Sequence, residues 1–75
     1  LSYTDLSNTI LLSANFTNAC LKVANLQDTK VENAIFVNAD IRGANIINVD
    51  FSTAVTRGIK YNDTMLWQNS TFIKD

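Results

Sequence analysis

Alanine recurs along this chain of 75 residues with a period of five. Every alanine falls in one register of a five-residue count: Ala14, Ala19, Ala24, Ala34, Ala39, Ala44 and Ala54. A second register, two places later, holds mainly large apolar side chains: Leu6, Leu11, Phe16, Leu21, Leu26, Val31, Phe36, Ile41, Ile46, Phe51, Tyr61 and Leu66. No charged residue occupies either register before Lys74. Both registers are therefore predicted to point into a core.

A period of five fits neither an α-helix nor a flat strand. Five residues advance a helix by about 140° beyond a full turn, so the apolar series would wind around every side. On a flat strand, every fifth residue would change face. The chain must therefore bend once per repeat, with three residues on an extended side and two at a corner. Gly43 and Gly58 share one corner register, where unusual backbone angles are expected.

Several repeats place Asp or Asn between the alanine and the large apolar residue. They are Ala14-Asn15-Phe16, Ala24-Asn25-Leu26, Ala39-Asp40-Ile41 and Ala44-Asn45-Ile46. In this pattern the sequence resembles the pentapeptide-repeat family, whose consensus is A(D/N)Lxx. The resemblance implies an all-β fold, a right-handed quadrilateral β-helix with twenty residues per coil and a little under four coils. It covers residues 1–68, and residues 69–75 are expected to form a C-terminal cap or tail.

Stacking residues twenty apart gives further predictions for the interior and for one corner. The inward column is Leu6, Leu26, Ile46 and Leu66, and the polar corner column is Asn8, Asp28, Asn48 and Gln68. Outward charges are expected to neutralise one another along the ladders, with Asp50 beside Lys30 and Asp40 between Cys20 and Lys60.

The composition removes most catalytic and metal chemistry. The chain has no histidine and one cysteine, Cys20, so it offers no intramolecular disulfide, no zinc ligand set and no His-activated nucleophile. We interpret Cys20 as a surface thiol and the carboxylates as structural charges. The sequence therefore predicts a protein that is not an enzyme, with no cofactor, no metal and no small-molecule substrate.

Charge and hydropathy limit the partners. Six basic and seven acidic residues give a net charge of −1, which argues against a basic nucleic-acid binder. No apolar run approaches the roughly 18 residues that a membrane span needs. The chain opens at Leu1 in the middle of a repeat, so we expect it to be a piece of something longer, with upstream residues or a partner covering that edge. No feature assigns a cellular compartment.

Outward apolar residues include Ile10 and Leu12, at the start of one face, and two further groups. Ile35, Val37 and Val55, with Arg57 beside them, form the candidate interaction patch. Ile47, Met65 and Trp67 are predicted to form a second outward group. Residues 61–67 partly resemble a terminator of family members, Y-N-x-x-T-x-W-P, with Thr64 one place early and Gln68 in place of the proline. Trp67, Phe72 and Ile73 are therefore predicted to form a C-terminal cap.

The leading functional hypothesis is a rigid, non-catalytic module that binds a protein partner or itself. A first alternative comes from the resemblance, because some pentapeptide-repeat proteins mimic DNA and bind type II topoisomerases, affecting quinolone action. DNA mimicry needs a long rod of one charge sign, and here the acidic residues alternate with Lys22, Lys30, Arg42 and Arg57. A second alternative is a purely structural spacer.

Overall fold

Parallel β-bridges between residues twenty positions apart organise the chain. The computed structural model describes residues 2–71. One column of bridges joins Asp5, Asn25 and Asn45; the others join Ile10 to Lys30, Asn15 to Ile35 and Val55, and Cys20 to Asp40 and Lys60. Over residues 2–71 these single-residue bridges are the regular structure, with no helix and no longer strand. The chain is therefore a solenoid whose coils stack in register.

Each bridge is held by backbone hydrogen bonds on both sides of one residue. The N–H of Asn25 donates to the carbonyl of Thr4 at 2.8 Å, and the N–H of Leu6 donates to the carbonyl of Asn25 at 2.8 Å. One coil higher, Asn45 and Leu26 repeat the pattern at 2.9 and 2.7 Å. Residues along one coil thus pair with the coils next to it, which is why a chain without proline suits this fold.

The corners between sides are tight turns. The N–H of Ala24 donates to the carbonyl of Leu21 at 3.1 Å, and Val23, the third residue of that turn, has φ of 60°. Gly43 and Gly58 hold the same place with φ of 74° and 73°. A positive φ at the third residue is the requirement of a type II turn, which glycine and asparagine meet most easily. The predicted bend and corner register are confirmed.

The Asp or Asn between the two inward residues also has a structural task. Its side-chain oxygen accepts the N–H two positions further on. Asn25 accepts from Gln27 at 3.0 Å, and Asp50 accepts from Ser52 at 2.9 Å. This bond satisfies an amide at the start of the corner, where no neighbouring coil supplies the acceptor. The repeat therefore favours Asp and Asn at this position for a local reason.

The core is built from the two predicted inward registers. Its fully buried side chains include Leu21, Leu26, Val31, Phe36, Ile41, Ile46, Val49 and Phe51, with Ala24, Ala34, Ala39 and Ala44 between them. Phe36 stacks on Phe16 with ring centroids 5.1 Å apart and meets Phe51 edge-on at 5.4 Å. Thr29 takes an alanine place, and its buried hydroxyl donates to the carbonyl of Leu26 at 2.9 Å.

The spacing changes near the C-terminal end of the described chain. Asn45 bridges Leu66, and Asp50 bridges Thr71, so the offset there is twenty-one residues. Met65 is 4% exposed and takes the place of an alanine above Ala44, while Leu66 is 48% exposed. The prediction that Leu66 points inward is therefore wrong by one residue.

This change of offset from twenty to twenty-one residues, called the slip below, corrects two other predictions. Met65 is buried in the core and Trp67 packs against it, so they are not an outward group with Ile47. Asn69, with φ of 59°, ends the polar corner column in place of Gln68. Lower in that column, Asn48 Nδ2 donates to Asp28 Oδ1 at 2.8 Å, as a polar ladder requires. The extra residue buries Met65 and packs Trp67 against the core, in the places that Thr64 and Leu66 would otherwise occupy.

Candidate interaction surface

The residues of the candidate interaction patch are neighbours in the structure. Ile35 and Val55 are bridge partners, and the N–H of Phe36 donates to the carbonyl of Val55 at 2.7 Å. Val37 and Arg57 follow them in adjacent coils. Val55 is 41% exposed, Ile35 and Val37 are half-buried, and Arg57 is exposed. The structure thus brings together an apolar column with a cation at its edge.

More strongly exposed apolar side chains lie in the first coil. Tyr3 is 80% exposed, Ile10 is 71% exposed and Leu12 is 53% exposed. Ile10 bridges Lys30, and the sides that carry Ile10 and Ile35 follow one another along the chain. Single exposed apolar residues are ordinary on protein surfaces. They therefore add little to the paired column of Ile35 and Val55.

A charged side contains Cys20, Asp40 and Lys60 in one column of bridges, in the predicted order. The ionic partner of Asp40, however, is Arg42 on the same coil, with Nη2 to Oδ2 at 2.7 Å and Nε to Oδ1 at 2.9 Å. These hydrogen bonds from Arg42 lower the pKa of Asp40 from 3.8 to about 2. Among residues 2–71 this is the ion pair formed, and it joins two residues of one coil; Lys22, in a neighbouring coil, makes a smaller contribution to the lowered pKa of Asp40.

Asp50 illustrates the difference. It was expected to pair with Lys30, but its carboxylate instead accepts the N–H of Ser52. The backbone hydrogen bond from Ser52 is the main cause of the lowered pKa of Asp50, and a hydrogen bond from the Ser52 side chain is the second cause. A sequence pattern at five-residue spacing does not distinguish the two arrangements, because both place Asp50 outward.

Cys20 is an exposed free thiol, with its Sγ 2.9 Å from Ser2 Oγ. The hydrogen bond with Ser2, the N–H of Lys22 and the Lys22 charge lower the pKa of this thiol. Over residues 2–71 no group of three or more His, Cys, Asp or Glu side chains could hold a metal ion. Nor does the described part of the chain contain a helix long and apolar enough to cross a membrane.

The predicted cap falls partly inside the described residues. Trp67 packs against the core above the buried side chains of the preceding coil. The ladder continues to Thr71, which bridges Asp50. Phe72 and Ile73 lie outside the described residues, so the cap formed with Trp67 stays a prediction.

Comparison with known proteins bears on the repeat itself. The sequence profile for pentapeptide repeats matches residues 1–27 and 21–55, with eight copies of the repeat. The chain belongs to the pentapeptide repeat family. Members of this family are generally structural proteins rather than enzymes, and many bind other proteins. No curated protein matches this pentapeptide repeat chain.

Two solved pentapeptide repeat proteins share its fold. The protein Rfr23 from the cyanobacterium Cyanothece 51142 superimposes with a TM-score of 0.84 at 32% identity, over 87% of this chain and 44% of that one. A protein of the Arabidopsis thaliana thylakoid lumen gives a TM-score of 0.59 at 26% identity, over 93% of this chain and 59% of that one. These likenesses identify the solenoid as a right-handed β-helix. The pentapeptide repeat chain spans about half the length of these relatives.

Proposed function

We propose that this pentapeptide repeat chain is a rigid, non-catalytic protein-interaction scaffold. The proposal includes a quadrilateral β-helix of a little under four coils. Its support is the twenty-residue offset of the bridges, which accommodates four five-residue repeats in each coil. Backbone hydrogen bonds between coils hold the outward side chains in fixed columns. A surface held in this way loses little conformational entropy when a partner binds.

The column of Ile35 and Val55 is the observation that carries the proposal. Both residues occupy the bridge position that holds Asp or Asn in six other repeats. An apolar side chain there gives up the hydrogen bond to the corner amide that Asn15 makes with Thr17 at 3.0 Å. Two repeats that stack in neighbouring coils therefore lack this local hydrogen bond and present apolar surface instead, beside the cation of Arg57. Apolar residues next to an arginine are typical of the contact regions of protein interfaces.

The charge distribution favours this scaffold over DNA mimicry. Asp40 is paired with Arg42, and the whole chain has a net charge of −1. A DNA mimic needs a continuous negative field along the rod. A gyrase supercoiling assay tests the choice, because inhibition or drug protection at low protein concentration would favour mimicry.

For the C-terminal end, we propose that Trp67, Phe72 and Ile73 cap the solenoid within residues 69–75 and the coil before them. Met65 and Trp67 already replace smaller residues against the core there. A bulky end of this kind would cover strand edges that otherwise invite pairing with another chain.

The test of the interaction patch is a double variant, Ile35→Asn with Val55→Asn. Asparagine is already present in the same column at Asn15, so the fold tolerates it. We expect the parent to self-associate in light scattering over a concentration series and the double variant to remain monomeric. The control is Ile10→Asn, the same substitution on another side, which should associate like the parent. A parent that is monomeric at every concentration would remove self-association from the proposal.

A further inference from the structure

A shallow groove crosses the corner that follows the charged side. It has a volume of about 310 Å³ and is lined by Lys22, Val23, Arg42, Gly43, Asn62 and Thr64. Its lining residues come from corresponding places in successive coils. The groove lies one side away from the interaction patch, and none of the patch residues lines it.

The hydrogen bonds inside the groove occupy the side-chain oxygen of Asn62 and leave its side-chain NH₂ group as a donor. Asn62 Oδ1 accepts from the N–H of Gly43 at 3.0 Å and from Thr64 Oγ1 at 2.9 Å. These two donors fix the orientation of the amide, because in a flipped Asn62 the NH₂ group would face the N–H of Gly43, and two donors cannot form a hydrogen bond. Asn62 Nδ2 is therefore left as a donor for another group. No carboxylate of residues 2–71 lines the groove, although the exposed Asp63 lies between Asn62 and Thr64 in the sequence.

The two cations of the groove contribute further donors. Lys22 is exposed and forms no ion pair with any residue between 2 and 71. Arg42 uses Nε and Nη2 to bind Asp40 and keeps Nη1 for another partner. Lys22 helps to lower the pKa of Asp40 from a distance, but Asp40 makes its close ion pair with Arg42. Lys60, which bridges Asp40, adds a further positive charge nearby. The cations Lys22, Arg42 and Lys60 outnumber the carboxylates Asp40 and Asp63 around this corner, on a chain whose net charge is −1.

Val23 supplies the apolar side chain of the groove, and Gly43 keeps the groove open. A Cβ on Gly43 would lie 3.2 Å from Val23 Cγ2 and 3.6 Å from Thr64 Oγ1, so any side chain there would enter the groove. The result is an open site with hydrogen-bond donors and cations beside the apolar side chain of Val23. A carboxylate on a short methylene stem, as on glutamate, matches both parts.

We propose that this groove, formed around Lys22, Arg42, Gly43 and Asn62, binds the carboxylates of an acidic polypeptide segment. The proposal rests on the proposed function, since it names the chemistry of a partner for the same scaffold. It assigns the anchoring of that partner to the groove, and leaves the apolar contact to Ile35 and Val55.

The test is a titration of the protein with a blocked hexaglutamate peptide at low salt, followed by amide chemical shifts. We expect saturable binding that shifts Lys22, Gly43 and Asn62, and no binding of a blocked hexaglutamine peptide. Lys22→Gln should weaken binding about tenfold, the effect of losing one charge-assisted hydrogen bond. Lys30→Gln, the same charge change on another side, should leave the affinity unchanged. Equal weakening by both variants would overturn the proposal, because it would show a response to net charge alone.

Two further experiments test which carboxylate ligand the groove binds, and separate failure of the groove proposal from failure of the proposed function. Acetate distinguishes a peptide site from a site for any small carboxylate, and acetate binding as tight as hexaglutamate would overturn the polypeptide assignment. The Ile35→Asn, Val55→Asn variant should bind hexaglutamate like the parent. If hexaglutamate fails to bind while patch-dependent self-association persists, the groove proposal is wrong and the proposed function stands. If hexaglutamate binds at the groove and self-association is absent, the groove proposal is supported without the patch.

Discussion

Val23 is a β-branched residue in a backbone conformation that such residues rarely adopt. Its φ of 60° lies in the left-handed region, and its side chain is 48% exposed. Asparagine or glycine occupies most of the equivalent corners, including Asn18, Asn38 and Gly43. A non-glycine residue held in this region costs on the order of 1–3 kcal/mol, and the cost is greatest for branched side chains.

Replacing Val23 by asparagine should therefore stabilise the fold. We expect Val23→Asn to raise the free energy of unfolding by about 1 kcal/mol, because relief of strain exceeds the loss of a half-exposed side chain. Urea denaturation measures the change. The matched control is Asn18→Val, which places valine at φ of 62° and should lower stability by a similar amount. A destabilised Val23→Asn protein would show that contact with Gly43 outweighs the strain.

Ser70 has a buried hydroxyl near the C-terminal end of the described residues. It occupies an alanine place after the slip, with its N–H donating to the carbonyl of Trp67 at 3.1 Å. Its Oγ is buried and has no hydrogen-bond partner among residues 2–71, an arrangement that costs about 1–3 kcal/mol. We expect Ser70→Ala to raise the thermal midpoint, corresponding to about 1 kcal/mol, in a calorimetric scan. Thr29→Ala, which removes a hydroxyl that is hydrogen-bonded to Leu26, should lower it. An unchanged midpoint in Ser70→Ala would mean that solvent reaches the hydroxyl.

At the scale of the coil, the sequence predicts most of the stacking and misses one step. The charge-free inward registers and the glycine corners are properties of single residues, so they are readable without coordinates. Between Lys60 and Leu66 the chain offers two solutions, one burying Thr64 and Leu66 and the other burying Met65 and Trp67. Only the apolar area gained against the coil below decides between them. The partial terminator pattern, with Trp67 correctly placed and Thr64 early, was the available signal.

Truncation of the two competing residues tests the slip directly. Trp67 packs against the core, so Trp67→Ala should cost about 3 kcal/mol, whereas Leu66→Ala should cost less than about 1 kcal/mol because Leu66 is 48% exposed. Unfolding in guanidinium chloride measures both. A strict twenty-residue offset predicts the reverse order. If Leu66→Ala is the more damaging change, the slip is absent in solution.

The candidate surface was less predictable than the coil. The patch of Ile35 and Val55 follows from outward apolar residues at a twenty-residue spacing. The groove does not follow from this spacing. It depends on Asn62, which lies where the offset between coils changes and whose side chain accepts the N–H of Gly43. Arg42 likewise pairs with Asp40 two residues away, although the bridge partners suggested Lys60. Side-chain partners on an exposed face depend on rotamers, which a repeat pattern does not specify.

At the scale of the whole molecule, the repeated carboxylates couple stability to pH. Asp5, Asp40 and Asp50 all have a pKa below the ordinary value of 3.8, because each accepts hydrogen bonds from the residue two positions further on. A carboxylate with a lowered pKa in the folded state stays ionised there while the unfolded chain takes up a proton. Its stabilising contribution is complete above about pH 5 and is lost as the pH falls through the folded value.

We therefore expect the thermal midpoint to be nearly constant from about pH 7 to pH 5 and to fall between about pH 4 and pH 2. The lower limit follows from Asp40, whose pKa is about 2. Thermal unfolding followed by circular dichroism across this range measures the effect. The informative variant combines Asp5→Asn, Asp40→Asn and Asp50→Asn. Asparagine accepts the same corner hydrogen bond, as Asn45 does from Ile47 at 3.0 Å, but it does not titrate.

The triple variant separates the charge of these side chains from their hydrogen bonds. At neutral pH it should lose little stability, about 1 kcal/mol, since the cation of the Asp40–Arg42 pair is exposed to solvent. Below pH 4 it should lose less than the parent, because three of the groups whose protonation favours unfolding are gone. If the variant loses as much stability on acidification as the parent, other carboxylates control the acid response. If it is already destabilised at neutral pH, the corners require a charged acceptor, and the exchange of Asp for Asn along the repeat is not neutral.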